Sequence, residues 1–388
     1  MQLYKANRQW AERPADERAT DLNDLYQKTR HYFESAIISS VSLSQLDVTA
    51  EGEELYLHGL RSKLDARFTH WAFGQFCQRV QAPADHYRSL PATLAQPALS
   101  YLLRKASAES NRNAQLLFHK NGDFVLRAMN GNQYARIWNY EVAERLMPLG
   151  EYGWRVPPAR PASLGQPGSR PATEADVLAA SQSGLSVNIG DLIAPAGLYV
   201  SDHDMFAFMV NENFRINDGT DQGMSRGFFV ENSEVGDGAF VLTTFLYRHV
   251  CGNHIVWGAK NVKEIRIRHV GQAPEKAFGQ IEVAVNKYAN ESASDLEAQI
   301  VKAKHAVIGN TKDEVLDELF RALRGDITKN LIEEAYDKAV QEETINQAAP
   351  NTQWGITQGL TSVAKEMAFG DKRVKVDRAA GKVMSIEF

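Results

Sequence analysis

Between Gly197 and Val270 the chain presents the segments "GLYVSDHDMFAFMVN", "GFFVEN", "AFVLTTFLYRHV" and "EIRIRHV", parted by Gly, Asn and Asp. Their β-branched and aromatic residues suit a pleated, half-buried surface, and the interruptions are turn formers. Beyond Pro274 the period changes. Phe278, Ile281, Val285 and Tyr288 fall on one helical face, and Leu296, Ile300 and Ala303 continue it. A block of strands followed by a block of helices lacks the alternation of a doubly wound fold. The expectation is an α+β protein, with a mostly antiparallel sheet and a helical C-terminal portion.

The N-terminal part reads as a smaller mixture of the same elements. Residues 14–36 carry Leu22, Leu25, Tyr26, Tyr32 and Phe33 at helical spacing. "SVSLSQLDVTAEGEELYLHGL" alternates on both sides of Glu51-Gly52 and predicts a hairpin. Phe68, Ala72, Phe73, Phe76, Cys77 and Val80 make one apolar helical face, which places Cys77 as a buried structural thiol. "QLLFHKNGDFVLRAM" predicts two strands joined at Asn121-Gly122, a type I′ turn signal. The segment 155–173 gathers five of the thirteen prolines and predicts a linker or long loop. The expected organisation is an N-terminal α+β region (1–154), a Pro/Gly-rich connector (155–174), a strand-rich core (175–290) and a helical region (291–388). Within the last, Thr311 to Glu314 fits a capping box, Gly325 closes that helix, and a helix over Gln353–Ala368 precedes a charged tail.

Composition narrows function mainly by exclusion. No apolar run approaches the ~20 residues that cross a bilayer, and "MQLYKANRQWAERPADER" lacks a signal peptide's apolar core. Two cysteines, Cys77 and Cys251, make no disulfide framework, so a reducing cytoplasm is the simplest compartment. A net charge of −5 gives no global attraction to polyanions, so any nucleic-acid binding needs a local patch.

Gly223-Met224-Ser225-Arg226-Gly227 matches the G-x-S-x-G of serine hydrolases. A nucleophile elbow, however, needs a strand before it and a helix after it. Here a turn precedes and a strand follows, so the glycines are read as serving a turn. Neither a P-loop nor a dinucleotide fingerprint is present. Cys251 and His254 have C-x-x-H spacing without a second ligand pair. An acidic set includes Asp202, Asp204, Glu231 and Glu234, which could ligate Mg²⁺ or Mn²⁺ for a nuclease or could be a solvated rim of turns. A basic set follows at once: Arg248, Lys260, Lys263, Arg266 and Arg268. On an extended strand Arg266 and Arg268 stand side by side about 7 Å apart, opposite Ile265, Ile267 and His269. With Trp257, Tyr247 and Phe214 as stacking candidates, this is a physical recipe for single-strand binding.

The elements Ser201-Asp202 with Phe206, Asn232 to Gly236, Tyr247 to Asn253 and Arg268 to Gly271 resemble a family of phage- and plasmid-encoded proteins of unassigned function. The resemblance implies a mobile-element protein acting in the cytoplasm of a bacterial host, and it transfers no catalytic residues. The leading expectation is a non-enzymatic, homo-oligomeric protein that binds single-stranded DNA through Arg248, Lys260, Lys263, Arg266 and Arg268, with Trp257 or Tyr247 stacking, and needs no cofactor. The alternatives are a metal-dependent nuclease or related hydrolase using Asp202, Asp204, Glu231 and Glu234 with Mg²⁺, and an accessory protein that binds a host protein.

Overall fold

The computed structural model describes residues 18–19, 21–60, 65–110, 113–121, 123–156, 170–174, 177, 187–193, 198–201, 204–221, 223–248, 253–255, 264–366 and 370–386. Strand β1 (Arg18–Ala19) and helix α1 (Leu22–Glu34) open it, α1 being capped by Asp21, whose carboxylate accepts from the Asp24 N–H at 2.8 Å. A six-stranded sheet follows, built from β2 (Ala36–Ser42), β3 (Leu46–Glu51), β4 (Glu54–Gly59), β5 (Asp65–Phe68), β6 (Asn113–Asn121) and β7 (Asp123–Gly131). Its order is β2-β6-β7-β5-β4-β3, antiparallel except where β5 runs beside β7. The β3–β4 turn falls at Gly52, whose φ of 59° is the left-handed conformation that glycine adopts without strain. Helices α2 (His70–Arg79), α3 (Ala84–Arg88) and α4 (Ala92–Glu109) interrupt this sheet in sequence. Ala72, Phe73, Phe76 and Cys77 of α2 and Ala95, Leu99 and Leu103 of α4 form one core with the sheet residues Leu46, Val48, Leu57 and Leu126. Phe68 lies on β5 rather than on the helix face, because α2 begins only after the Thr69 cap.

The main sheet gathers strands from distant parts of the chain. After α5 (Asn139–Leu146) come β8 (Trp154–Arg155), β9 (Arg170–Pro171), β10 (Leu192–Ile193), β11 (Leu198–Val200), β12 (Met205–Ile216), β13 (Met224–Asn232), β14 (Phe240–Arg248), β15 (Asn253–Ile255) and β16 (Ile265–Ile267). Its order is β1-β11-β12-β13-β14-β15, with β8 added to β12 and β16 to β14. Strands β1 and β8, from before the proline-rich segment, therefore complete a sheet whose other strands come after it. Alternation sends Met205, Ala207, Met209, Phe228, Val230, Phe240 and Leu242 to one face. There they pack on α1, α5 and α6 (Ala273–Ala289), which contributes Ala277, Ile281, Val285 and Tyr288 as the sequence spacing required.

The C-terminal helices are α7 (Ala293–His305), α8 (Lys312–Ala322), α9 (Lys329–Gln341), α10 (Glu343–Asn346), α11 (Gln353–Glu366) and α12 (Gly370–Val383). The Thr311 hydroxyl caps α8 by accepting from the Glu314 N–H at 3.3 Å, while the Glu314 carboxylate accepts from the Asn310 N–H rather than closing a reciprocal box. Helix α9, which follows Gly325, starts at Lys329, and the charged tail is helical. Val376, Ala379, Ala380 and Val383 of α12 are buried against α8, α9 and α11, and Lys382 pairs with Asp326 at 2.6 Å. Lysines and arginines on the outward side hid this apolar stripe from a composition-based reading.

Helix α11 lies at the centre of the bundle, buried from Thr352 through Ala364. It reaches that position because Gly359 places its backbone against the Ala335 carbonyl of α9, where a methyl group would overlap the oxygen. Gly359→Ala is expected to cost about 1–3 kcal/mol, read as a lower denaturant midpoint at unchanged m-value.

Candidate functional site

The segment Gly223-Met224-Ser225-Arg226-Gly227 serves the structure, with Met224 buried in a core with Ile216 and Leu246. Gly223 turns the chain at φ 60°. Ser225 is fully buried on β13, opposite Tyr247. Arg226 reaches the end of α6, donating to the carbonyls of Ala289 at 3.3 Å and Glu291 at 2.6 Å. Gly227 leaves room for the Phe245 ring. No serine elbow exists here.

The Asn232 to Gly236 element joins the two sheets. Glu234 is buried and accepts from Arg127 Nη1 at 3.1 Å and from the Asn139 N–H at 2.9 Å. The backbone on either side is gripped in the same way. The Ser233 carbonyl accepts from Tyr134 Oη at 2.9 Å, and that of Glu234 accepts from Arg136 Nη1. The Val235 carbonyl accepts from Gln75 Nε2 at 2.7 Å, Asn130 Nδ2 at 2.9 Å and Trp71 Nε1 at 3.3 Å. Asn232 Nδ2 donates to the Ile137 carbonyl and to Asn139 Oδ1. Burial lowers the Arg136 pKa to about 10, which still leaves the guanidinium charged at neutral pH. His269 adds a further clasp, stacked on Tyr134 with ring centroids 5.0 Å apart, while its carbonyl accepts from the Ala135 N–H. Glu234 is thus an ion-pair partner and not a metal ligand. Sequence reading missed its partners, Arg127 and Arg136, although an arginine inside the apolar run "FVLRAM" was a signal that a buried acid awaited it.

Arg248 is also removed from the surface. It is fully buried, with Nε donating to Asp218 Oδ2 at 2.6 Å. Nη1 donates to Asn346 Oδ1 at 2.6 Å and Gln358 Oε1 at 3.2 Å, and Nη2 to the Ile345 carbonyl at 3.1 Å. Burial pushes the Asp218 carboxyl upward, but hydrogen bonds from Thr220 and Arg248 outweigh it and leave the net shift downward. This network ties the main sheet to α10 and α11. Arg248 therefore cannot contact phosphates, a correction that follows from its position on a central strand under the helical bundle.

Of the acidic set, Asp204 and Glu231 come to one face of the main sheet. Asp204 accepts from the Ser201 hydroxyl. Glu231 is buried, its Oε1 has no hydrogen-bond partner among the described residues, and burial, reinforced by Asp204 and Glu264 and opposed by Arg266, raises its pKa to about 8. Asp202 lies outside the described residues. Among the described residues, no group of three or more His, Cys, Asp or Glu is arranged to hold a metal ion.

The remaining basic residues divide. Trp257, Lys260 and Lys263, like Cys251, lie outside the described residues, as do the side chains of Tyr247, Phe214 and His254. Arg266 and Arg268 are exposed, while Ile265 and Ile267 pack toward the core, as the strand alternation required. They line a groove of about 520 Å³ together with Glu264, Val270, Lys276 and Gln280. Its far wall is the first turns of α6, where Lys276 and Gln280 sit one helical turn apart. Glu264, the acid of this groove, accepts from Arg378 Nη2 of α12 at 2.5 Å and lies 3.9 Å from Arg266. Lys276 and Arg378 carried no sequence signal for the groove, because each reaches it only through packing of its helix.

Residues 189–380 match one family model. That model is DUF932, a domain of unknown function. No curated protein and no solved structure matches the chain. The DUF932 region takes in β12 to β16, the groove and most of the helical bundle, but the donors that grip Asn232 to Gly236 come from the preceding residues.

Removing one partner of the buried pair strands the other charge. Glu234→Ala is expected to lose about 3–5 kcal/mol, measured by urea denaturation. Burial lowers the His269 pKa to about 4. The unfolded chain then binds more protons than the folded one between the ordinary histidine pKa and about 4. Stability is expected to fall as pH drops through that window, by up to about 1.4 kcal/mol per unit. Denaturation at several pH values, with His269→Phe as a variant lacking this slope, checks it.

Proposed function

We propose that this protein binds single-stranded nucleic acid along the groove between β16 and α6. The observation that carries the proposal is the lining of that groove, which sets Arg266, Arg268 and Lys276 against one acid, Glu264, itself neutralised by Arg378. Two exposed arginines, one on β16 and one just past its end, with a lysine one groove-width away match a backbone of repeated phosphates better than a single small anion. Lys276 stands in the first turn of α6, where the helix dipole adds to the positive potential. The net charge of −5 makes the binding local, so long-range steering is weak and the groove itself supplies the attraction.

The resemblance of Asn232 to Gly236 and Arg268 to Gly271 to phage- and plasmid-encoded proteins supports a role in handling mobile-element DNA, with self-association along the strand. Trp257 and Tyr247 are the stacking candidates that the sequence offers.

The test is fluorescence anisotropy of a labelled oligothymidine at several salt concentrations. The logarithm of affinity is expected to fall linearly with that of salt, by about 0.7 per neutralised phosphate. Arg266→Ala with Arg268→Ala should weaken binding sharply and reduce the slope by about 1.4. Affinity unchanged in the folded double variant would refute the assignment, and duplex preference would reassign the ligand.

A further inference from the structure

The face of the main sheet opposite α1, α5 and α6 carries a feature that nucleic-acid binding does not require. Register places Phe206 opposite Glu231, Glu231 opposite Val241, and Val241 opposite Arg266. Directly opposed residues share a face, so Glu231 and Arg266 stand on the same side, two strand spacings or about 10 Å apart. Asp204 precedes Phe206 by two residues and is the diagonal neighbour of Glu231 on that face, about 7–8 Å away between backbones. Two carboxyl groups so placed can meet at one ion.

Independent of the pairing is the state of Glu231. Glu231 is 4% exposed, and among the described residues its Oε1 has no hydrogen-bond partner. A carboxyl oxygen buried without a partner is unfavourable and wants a cation or proton beside it. Rings flank it on the same face beside Val241. Phe206 and Phe229 stack at 5.6 Å and Phe229 and Phe245 at 6.2 Å. This apolar flank weakens screening of any charge held there. Arg266 favours the charged form of Glu231 only from a distance, since it turns outward to the groove beside Glu264 and makes no hydrogen bond to Glu231.

We propose that Asp204 and Glu231 hold one divalent cation of the Mg²⁺ or Mn²⁺ class, with Ser201 positioning the Asp204 carboxylate. Such hard cations are bound through one or two carboxylates, with water completing the shell, so a third protein ligand is not required. The site lies on the same face as Arg266 and does not depend on the groove being the nucleic-acid site, because its primary readout is metal binding alone.

The experiment titrates chelator-treated full-length protein with Mn²⁺ and follows the free-ion signal by electron paramagnetic resonance, with Mg²⁺ as competitor. Wild-type protein is expected to bind one Mn²⁺ that Mg²⁺ displaces, and Asp204→Asn and Glu231→Gln to lose it while keeping the wild-type circular dichroism spectrum. Should both carboxylate variants fail to fold, Ser201→Ala decides the matter, with an expected tenfold or greater weakening of Mn²⁺ binding. No bound ion in the wild type overturns the site. So does Mn²⁺ binding that persists at wild-type strength in folded carboxylate variants, or in Ser201→Ala where these do not fold.

Discussion

The interaction on which the rest of the fold depends is the buried pairing of Arg127 with Glu234, at 3.1 Å. Neither group can be buried alone without a penalty of several kcal/mol. Glu234 sits in the short link between β13 and β14, and Arg127 sits on β7 of the other sheet, so the pair fixes how the two sheets meet. The surrounding carbonyls of residues 233–235 complete the joint, each accepting from a side chain of the N-terminal region. A small apolar contact of Leu117, Ala128 and Val235 backs it. That patch is too small to orient two sheets, so hydrogen-bond geometry supplies the direction.

A second buried arginine does the same at the other end of the main sheet. Arg248 gathers Asp218, Asn346, Gln358 and the Ile345 carbonyl, which docks the helical bundle on β14. Between these two fixed ends β14 carries β16 on its edge, and α6 packs beside it. The groove is thus held by rigid elements rather than by loops, which is what a binding surface needs if its cations are to keep a set spacing. Arg268 and His269 show the division of labour within one short element. The arginine is exposed to the groove, while the adjacent histidine is stacked on Tyr134 and holds the joint.

Much of this was legible along the chain. The hairpin at Gly52, the buried face of α2 with Cys77, and the strand block followed by helices all arise from local periodicity, which the sequence displays directly. Burial lifts the Cys77 thiol to about 11, in keeping with a structural role. The dismissal of the G-x-S-x-G rested on local reasoning too, since a turn before and a strand after are sequence properties. Strand alternation separated Ile265 and Ile267 from Arg266 for the same reason.

What the sequence determined by itself was therefore the kind of each element, its apolar face and the outward placement of Arg266 and Arg268. What only the tertiary structure decided was the fate of charges. Arg248 and Arg266 look alike in sequence, both on strands in a basic stretch, yet one is sealed beneath a helical bundle and the other is open. Asp204, Glu231 and Glu234 look like one acidic set, yet Glu234 is neutralised by an arginine 107 residues earlier. Charge takes its role from the partners that long-range packing brings to it, and periodicity carries no information about them. The dielectric and the counter-charge at a site are set by residues far away in the chain, so they exist only once the fold does.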